Sequence, residues 1–244
     1  MLRLITDFDG PIMDVSERYY QVYQYCLAEV QDPEQRVTLL SKAQFWQMKR
    51  AQVPEIEIGL QSGLRDRQAK TFAHLRKITV HTLPYLVYDQ PLPWAIAALE
   101  KLQAKGVDLV VMTMRRVCEL EEALERNHLG QFFAEDRRYC LANDYRKIND
   151  IHDKKGLMAQ SMAELPPTPV TWMVGDTEAD ILAAQSQNIP VIGLLSGIRD
   201  RQRLTQHQPT AIANNLEEAV DWLFERVQES AADRLGTRET AVRT

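Results

Sequence analysis

The sequence has few of the features that mark several large classes of protein. It contains three cysteines, Cys26, Cys118 and Cys140, which are widely spaced and form no CxxC pair. This pattern favours reduced thiols over a disulfide framework or a zinc site. No apolar run is long enough to cross a bilayer, and the first apolar stretch meets Asp7 too early for a signal peptide.

A surplus of positive charge is also missing. The formal net charge is -5 at pH 7, with 45% hydrophobic and 26% charged residues among 244. This composition is ordinary for a globular protein and argues against a general nucleic-acid or anionic-membrane surface. We therefore expect a soluble cytoplasmic protein that binds neither nucleic acid nor membranes and is a monomer by default.

Two aspartates follow the first apolar run. The run 2–6 ends on Asp7 and Asp9, with Gly10 and Pro11 directly behind, which is typical of a buried strand that leads into a tight turn. Two carboxylates at such a strand exit need a counter-charge, which a divalent cation such as Mg2+ would supply. Alternatively, the aspartates accept hydrogen bonds from backbone N–H groups of the turn. This stretch alone does not decide between the two.

The rest of the chain has two kinds of pattern. Helical periodicity fills 15–88, and strands alternate with helices after that. Alternation of this kind predicts an α/β fold, with a three-layer Rossmann-like core built on a parallel sheet. The predicted core is 1–14 plus 89–229, with 15–88 as a helical insertion and 230–244 as a flexible tail.

Two details of this interpretation concern helix bounds. Within the insertion, one helix is expected from about 64 to 83. Later in the chain, the segment NDYRKINDIHD (143–153) is interpreted as a charged linker before a helix at about 155–164. This interpretation places Lys154 or Lys155 at a helix start.

Polar residues follow three of the predicted strands. The first strand ends in Asp7 and Asp9, the second in Thr113, and the third in Asp176, with Asp180 four residues later. Right-handed crossovers gather the carboxyl ends of parallel strands at one edge of a sheet, where ligands bind. We therefore expect these side chains to lie close together.

Each of these residues also has a purely structural interpretation. Thr113 fits a β-strand, Asp176 fits a helix N-cap, and Lys154 or Lys155 fits a solvated surface position, since the helix dipole does not favour a cation at a helix start. Arg115, beside Thr113, either contacts substrate anions or is an exposed structural arginine, and the same holds for Arg116. Three carboxylates, a hydroxyl and an ammonium at consecutive strand exits are harder to explain together.

The set resembles the haloacid dehalogenase (HAD)-like hydrolase superfamily, whose phosphohydrolases use an aspartate nucleophile. The matching segments are, in chain order, Asp7-Phe8-Asp9-Gly10 (D-x-D-G), Thr113, Lys154 or Lys155, and Gly175 to Asp180 (G-D-x-x-x-D). Order and rough spacing match over 1 to about 225. Pro11 departs from the pattern, because the family usually has Thr or Val at that position.

The resemblance implies a Mg2+-dependent phosphohydrolase of a small phosphorylated metabolite, of the sugar phosphate or phosphoglycolate type. Asp7 would form an aspartyl-phosphate, and Asp9 would act as general acid and then base, protonated with the help of nearby negative charge. Thr113, the Met114 N–H and Lys154 would hold the phosphate oxygens.

The resemblance also implies a ligand set and a cap. Mg2+ would be bound by the Asp7 carboxylate, the Asp9 backbone carbonyl and Asp176, with Asp180 binding through water or orienting the ligands. The helical insertion at 15–88 has the position of the family's C1 cap, which closes over the site.

Four other functions share features with this sequence pattern. A phosphomutase shares the motifs and the cap class, and a non-catalytic phosphate-binding regulatory protein would keep the fold. A dehalogenase needs neither Asp9 nor Mg2+ and is disfavoured. A response-regulator receiver is disfavoured because its phosphorylated aspartate lies at a later strand and it has no helical insertion.

Overall fold

A six-stranded parallel sheet lies at the centre of the computed structural model, which describes residues 2–227. The strands are Leu2–Thr6 (β1), Met13–Asp14 (β2), Gln90–Pro91 (β3), Asp108–Arg116 (β4), Arg138–Leu141 (β5), Val170–Gly175 (β6), Val191–Leu194 (β7) and Ala211–Ala213 (β8). The sheet order is β5-β4-β1-β6-β7-β8, while β2 and β3 form a separate antiparallel pair. Strand β1 therefore lies between β4 and β6, which follow much later in the chain.

Helices occupy most of the remaining chain. They are Ser16–Val30 (α1), Lys42–Arg50 (α2), Glu55–Gln61 (α3), Asp66–Thr79 (α4), Leu83–Leu86 (α5), Ala95–Ala104 (α6), Val117–Arg126 (α7), Asp150–Glu164 (α8), Glu178–Ser186 (α9), Arg201–Thr205 (α10) and 216–227 (α11). Short 3-10 turns at Gly130–Phe132 and Glu135–Arg137 precede β5.

The sheet has a hydrophobic core on each face. Because successive side chains of a strand point to opposite faces, Leu4 and Val111 pack with α6, α7 and α11, whereas Ile5 and Val110 pack with α8 and α9. Strands buried on both faces read as continuous apolar runs, as in a covered parallel sheet. The predicted three-layer Rossmann-like fold is confirmed.

The helices α1 to α5 form a third apolar cluster of their own. At its centre the rings of Tyr23 and Phe45 stack with centroids 4.7 Å apart, and Phe72 meets Tyr23 edge to face. Such ring pairs contribute about 0.5–1.5 kcal/mol beyond their burial. These helices fill the predicted insertion; its division from the core as a domain stays a prediction.

The pair β2–β3 joins the insertion to the core. Met13 pairs with Pro91 and Asp14 with Gln90, so the chain leaves for α1 and returns from α5 at neighbouring positions. No strand was predicted here, because two residues are too few to show the alternation of a strand.

Two predicted helix bounds are wrong. The helix expected over 64–83 ends at Thr79, and α5 starts separately at Leu83. Helix α8 begins at Asp150, inside the segment interpreted as a linker, because the Asn149 side chain accepts the His152 N–H and caps it. Lys154 therefore lies beyond the first turn of α8 and not at a helix start.

The predicted flexible tail, 230–244, lies outside the described residues. Within 2–227, none of the helices combines the length and the apolar character that a membrane crossing requires.

Candidate active site

The exit of β1 places Asp7 at the carboxyl edge of the sheet. The Asp7 N–H continues the strand ladder by donating to Val174 O at 3.0 Å. The Phe8 N–H donates to Asp7 Oδ1 at 2.7 Å, which fixes one carboxylate oxygen. The other oxygen, Oδ2, is left for contacts with the rest of the site.

The turn that follows β1 accommodates Pro11 without losing a hydrogen bond. Ile12 N–H and Met13 N–H both donate to Phe8 O, at 3.1 and 3.0 Å, so the turn closes without a donor from the proline. Gly10 adopts a φ of 93°, a conformation that side chains other than hydrogen rarely tolerate. The departure from the family pattern at Pro11 therefore does not disturb the turn.

Lys154 joins two of the predicted site carboxylates. Its Nζ lies 2.6 Å from Asp7 Oδ2 and also pairs with Asp180 Oδ1, and the side chain is 1% exposed. Burial opposes its charge, yet the Asp180 and Asp7 carboxylates raise the pKa of Lys154 above its usual value. Burial also raises the pKa of Asp7, against the opposing effect of Lys154. Of the two predicted lysines, Lys154 is the one whose ammonium lies in the site.

Asp176 follows β6 and faces the same site. The Ile198 N–H donates to its Oδ2 at 2.6 Å, while burial and the nearby Asp180 carboxylate raise the pKa of Asp176. Glycines make the close approach of the backbone possible. A Cβ added to either Gly10 or Gly197 would overlap the Asp176 carboxylate.

Asp180 lies in the first turn of α9, as expected. Thr177 is the N-cap of this helix, and its N–H and Oγ1 both donate to Asp180 Oδ2, at 3.0 and 2.7 Å. The alternative that Asp176 serves as the N-cap is therefore wrong, because Thr177 occupies that position.

The three carboxylates fit a divalent cation. Oxygens of Asp7, Asp176 and Asp180 lie within 4.8 Å of one another, and all three residues are buried. Among the described residues, Asp180 Oδ1 faces Lys154 but accepts no hydrogen bond of acceptable geometry. One ammonium does not balance three buried carboxylates, and oxygen ligands of this kind are those that Mg2+ takes.

Asp9 has different partners. Its Oδ2 accepts from Arg18 Nη2 at 2.8 Å, and its Oδ1 accepts from Arg115 Nε at 2.8 Å. Although burial acts in the opposite direction, the Arg115 and Arg18 guanidinium groups hold the pKa of Asp9 well below its usual range. The expectation that nearby negative charge keeps Asp9 protonated is therefore wrong for this conformation.

The same two arginines share a second carboxylate. Asp89, fully buried just before β3, lies 3.1 Å from Arg18 Nε through Oδ1 and pairs with Arg115 through Oδ2. Burial and the neighbouring Asp9 raise the pKa of Asp89. Arg115 is thus a buried ion-pair partner rather than an exposed arginine.

The residues at the end of β4 differ in exposure. Thr113 is buried, and its Oγ1 accepts from the Arg115 N–H at 3.2 Å. Met114 is half-buried and lines a cavity. Arg116 is half-buried and donates to the carbonyls of Ala142 and Asn143, which is a structural contact.

A cavity of about 220 Å³ opens above the carboxylates. It brings together Asp7, Asp9 and Lys154 from the core with Tyr19 and Lys49 from the helical insertion. The volume suits a small molecule, and the lining from both parts of the chain resembles the sites that proteins form between structural units.

The chain is similar in sequence to several known proteins. A family model described as HAD-hydrolase-like matches residues 154–219. The protein named Probable phosphatase IndB, from Dickeya dadantii (strain 3937), is 26% identical over 225 residues, which is 89% of this chain and 91% of that protein. A phosphoglycolate phosphatase of Pseudomonas fluorescens is 21% identical over 137 residues, 56% of this chain and 48% of that protein.

The solved structures agree on the fold. A haloacid dehalogenase-like family hydrolase from Streptococcus pneumoniae superimposes with a TM-score of 0.64 at 19% identity, covering 91% of this chain and 97% of that one. The chain is thus similar to HAD-like hydrolases in the sequence of residues 154–219 and in its fold. The resemblance to this family and the enzyme class predicted from the sequence, a phosphatase, are confirmed.

Several residues of this HAD-like site were not found from the sequence. No motif or spacing in the sequence marks Arg18 or Asp89, because their ion pairs join separate elements of the fold. Ile198 acts through its backbone N–H, which side-chain patterns do not reveal. Arg115 was noticed beside Thr113, but its partners were not predicted.

Proposed function

We propose that the chain is a Mg2+-dependent phosphohydrolase that removes phosphate from a small phosphorylated metabolite through an aspartyl-phosphate on Asp7. The observation that carries this proposal is the contact of Asp7 with Lys154 beside two further buried carboxylates, Asp176 and Asp180. Of the two substrate types that we propose, sugar phosphate and phosphoglycolate, the name of one relative, a phosphoglycolate phosphatase, supports the second. We place the reaction in the cytoplasm.

Asp7, Asp176 and Asp180 would hold Mg2+, with the Asp9 backbone carbonyl as a further ligand. When bound, the cation offsets the negative charge of the carboxylates and of the phosphate, which would otherwise repel each other.

In the first step an oxygen of Asp7 attacks phosphorus, and the bond from phosphorus to the leaving oxygen breaks. The leaving oxygen takes that electron pair and a proton from Asp9. Since Arg18 and Arg115 favour the ionised form of Asp9 in this conformation, we assign the acid role to a state in which Asp9 has left at least one of these arginines.

In the second step a water oxygen attacks phosphorus and gives a proton to the Asp9 carboxylate. The bond from phosphorus to Asp7 breaks, and the carboxylate of Asp7 is restored. Asp9 has given up its proton in the first step, and Arg18 and Arg115 favour the ionised form that this base role requires.

The phosphate itself would be held by three donors. These are the Thr113 hydroxyl, the Met114 N–H and the Lys154 ammonium, which is already beside the nucleophile. Fixed donors of this kind stabilise the charge that develops on phosphoryl oxygens in the transition state.

The test is hydrolysis of p-nitrophenyl phosphate and of a panel of phosphorylated metabolites, with Mg2+ and with excess EDTA. We expect turnover only with Mg2+ and a loss to background for Asp7→Asn. Asp32→Asn is the control, because Asp32 pairs with Arg65 on the exposed surface. Full Mg2+-dependent turnover by Asp7→Asn would contradict the nucleophile assignment, and isomerisation without phosphate release would identify a phosphomutase.

A further inference from the structure

The loop between β7 and α10, residues 195–200, contacts the carboxylate of Asp176, one of the proposed metal ligands. From its middle, Ile198 N–H donates to Asp176 Oδ2 at 2.6 Å, and Ser196 Oγ donates to Gly10 O at 2.8 Å. Between these two contacts, Gly197 lies so close to Asp176 that a Cβ would overlap its carboxylate. The position of this loop therefore sets the surroundings of one predicted ligand.

One side chain from the helical insertion holds both ends of the same loop. Arg50, the last residue of α2, donates from Nη2 to Leu195 O at 2.8 Å and from Nε and Nη2 to Arg199 O at 3.4 and 3.3 Å. Its own carbonyl accepts the Asp200 N–H at 3.1 Å. A single guanidinium thus bridges two carbonyls on either side of Ser196 and Ile198.

Two further hydrogen bonds join the residues after α2 to the core. Arg203 Nε donates to Ala51 O at 3.0 Å, and Gln52 Nε2 donates to Glu178 Oε1 at 2.9 Å. The end of α2 therefore docks against the same side of the core that carries Asp176.

We infer that Arg50 is a positioning residue for Asp176: by bridging Leu195 O and Arg199 O it fixes the loop whose Ile198 N–H orients that carboxylate. The affinity for Mg2+ then depends on the contact between the helical insertion and the 195–200 loop. This inference rests on the proposed function, in which Asp176 binds the metal.

The direction in which Mg2+ affinity changes when Arg50 is replaced distinguishes a positioning role from a purely electrostatic one. Removal of a positive charge near a cation site would reduce Coulomb repulsion and, by this effect alone, strengthen binding of the cation. Loss of a residue that orients a ligand weakens it, typically by 10- to 100-fold when the residue contacts the ligand directly. Because Arg50 acts one step further out, we expect a loss of about tenfold or somewhat less.

The experiment is titration calorimetry of the full chain with MgCl2, without substrate. Arg50→Met should bind Mg2+ about tenfold more weakly, and Arg50→Lys should lose part of the affinity, since an ammonium does not bridge two carbonyls as a guanidinium does. Arg65→Met removes the same charge from an exposed pair with Asp32 and should bind normally. Asp176→Asn shows how far the Mg2+ affinity falls when a proposed ligand is lost.

The outcomes are distinct. Unchanged Mg2+ affinity of a folded Arg50→Met chain, or a stronger one, overturns the inference, even where its KM for p-nitrophenyl phosphate rises. If Arg50→Met does not fold, Arg50→Lys takes its place, and unchanged affinity there has the same meaning. Absence of binding by the unsubstituted chain overturns both this inference and the metal part of the proposed function, whereas normal binding by the unsubstituted chain and by Arg50→Met together overturns only the inference.

Discussion

The Lys154 ammonium lies 2.6 Å from Asp7 Oδ2 and contacts Asp180 on its other side. A helix on one face of the sheet thus supplies the counter-charge for carboxylates that follow β1 and β6. The lysine links the Asp7 and Asp180 carboxylates, and a divalent cation would add to this positive charge.

Lys154→Met should destabilise the chain strongly and make its stability depend more on Mg2+ than that of the unsubstituted chain. Breaking a buried ion pair on one side costs about 3–5 kcal/mol, because carboxylates are left without a partner. Mg2+ binds the folded state and should recover part of this loss by mass action. Urea unfolding with and without MgCl2 measures both effects.

Lys155→Met is the matched control for that measurement. Lys155 is the next residue of α8 and is half-buried, so its loss should change the free energy of unfolding by less than about 1 kcal/mol. Equal destabilisation by the two substitutions would show that Lys154 has no special role.

Asp9→Asn should impair poor leaving groups more than good ones. An alkyl phosphate needs a proton on its leaving oxygen, whereas p-nitrophenolate leaves without one, and positioned acid catalysis is worth about 10²–10⁴-fold. The measurement is the ratio of kcat for an alkyl phosphate to kcat for p-nitrophenyl phosphate. An unchanged ratio would argue that Asp9 does not protonate the leaving group.

Gly197→Ala and Gly156→Ala should have opposite effects. At Gly197 the new methyl group would overlap the Asp176 carboxylate, so we expect a less stable chain with weaker Mg2+ binding. At Gly156, within α8, the methyl group meets no atom within 4 Å, and alanine should stabilise the helix by about 0.8–1 kcal/mol. Thermal unfolding and Mg2+ titration test both, and a tolerated Gly197→Ala would contradict the crowding around Asp176.

The three cysteines should differ in reactivity toward a thiol reagent at pH 8. Burial raises the pKa of both Cys26 and Cys140 to about 11, which leaves little of the reactive thiolate. Cys118 is exposed. We expect Cys118 to react first, Cys140 slowly and Cys26 only on unfolding, as mass spectrometry of labelled peptides would show. Early labelling of Cys26 would mean that the cluster around Tyr23 opens readily.

Much of this fold could be predicted because its signals are local. The run 2–6 and the segment GDTEAD carry apolar character, turn residues and carboxylates within a few positions. Strand order and helix cover then follow from general rules of connection in parallel sheets. These local signals predict that Asp7, Asp176 and Asp180 lie close together at one edge of the sheet.

The remainder depends on contacts between distant segments. Asp9 pairs with Arg18 and Arg115, and Asp89, the first residue after the insertion, completes this group. No sequence spacing encodes that association, so the environment of Asp9 was predicted with the wrong sign of charge. The start of α8 was missed for a different reason: its first turn is polar and presents no apolar periodicity to read.

The two-residue pairing of Met13–Asp14 with Gln90–Pro91 also bears on how such a chain can diversify. Since Asp14 and Gln90 are cross-strand neighbours, the insertion leaves and re-enters the core through a single narrow neck. A segment of different length or shape between those two positions would leave the strand pairing of the core unchanged, but it would lack Arg18 and Arg50, which contact Asp9 and the 195–200 loop. Replacement of the insertion would therefore change the surroundings of the carboxylates together with the lining of the cavity.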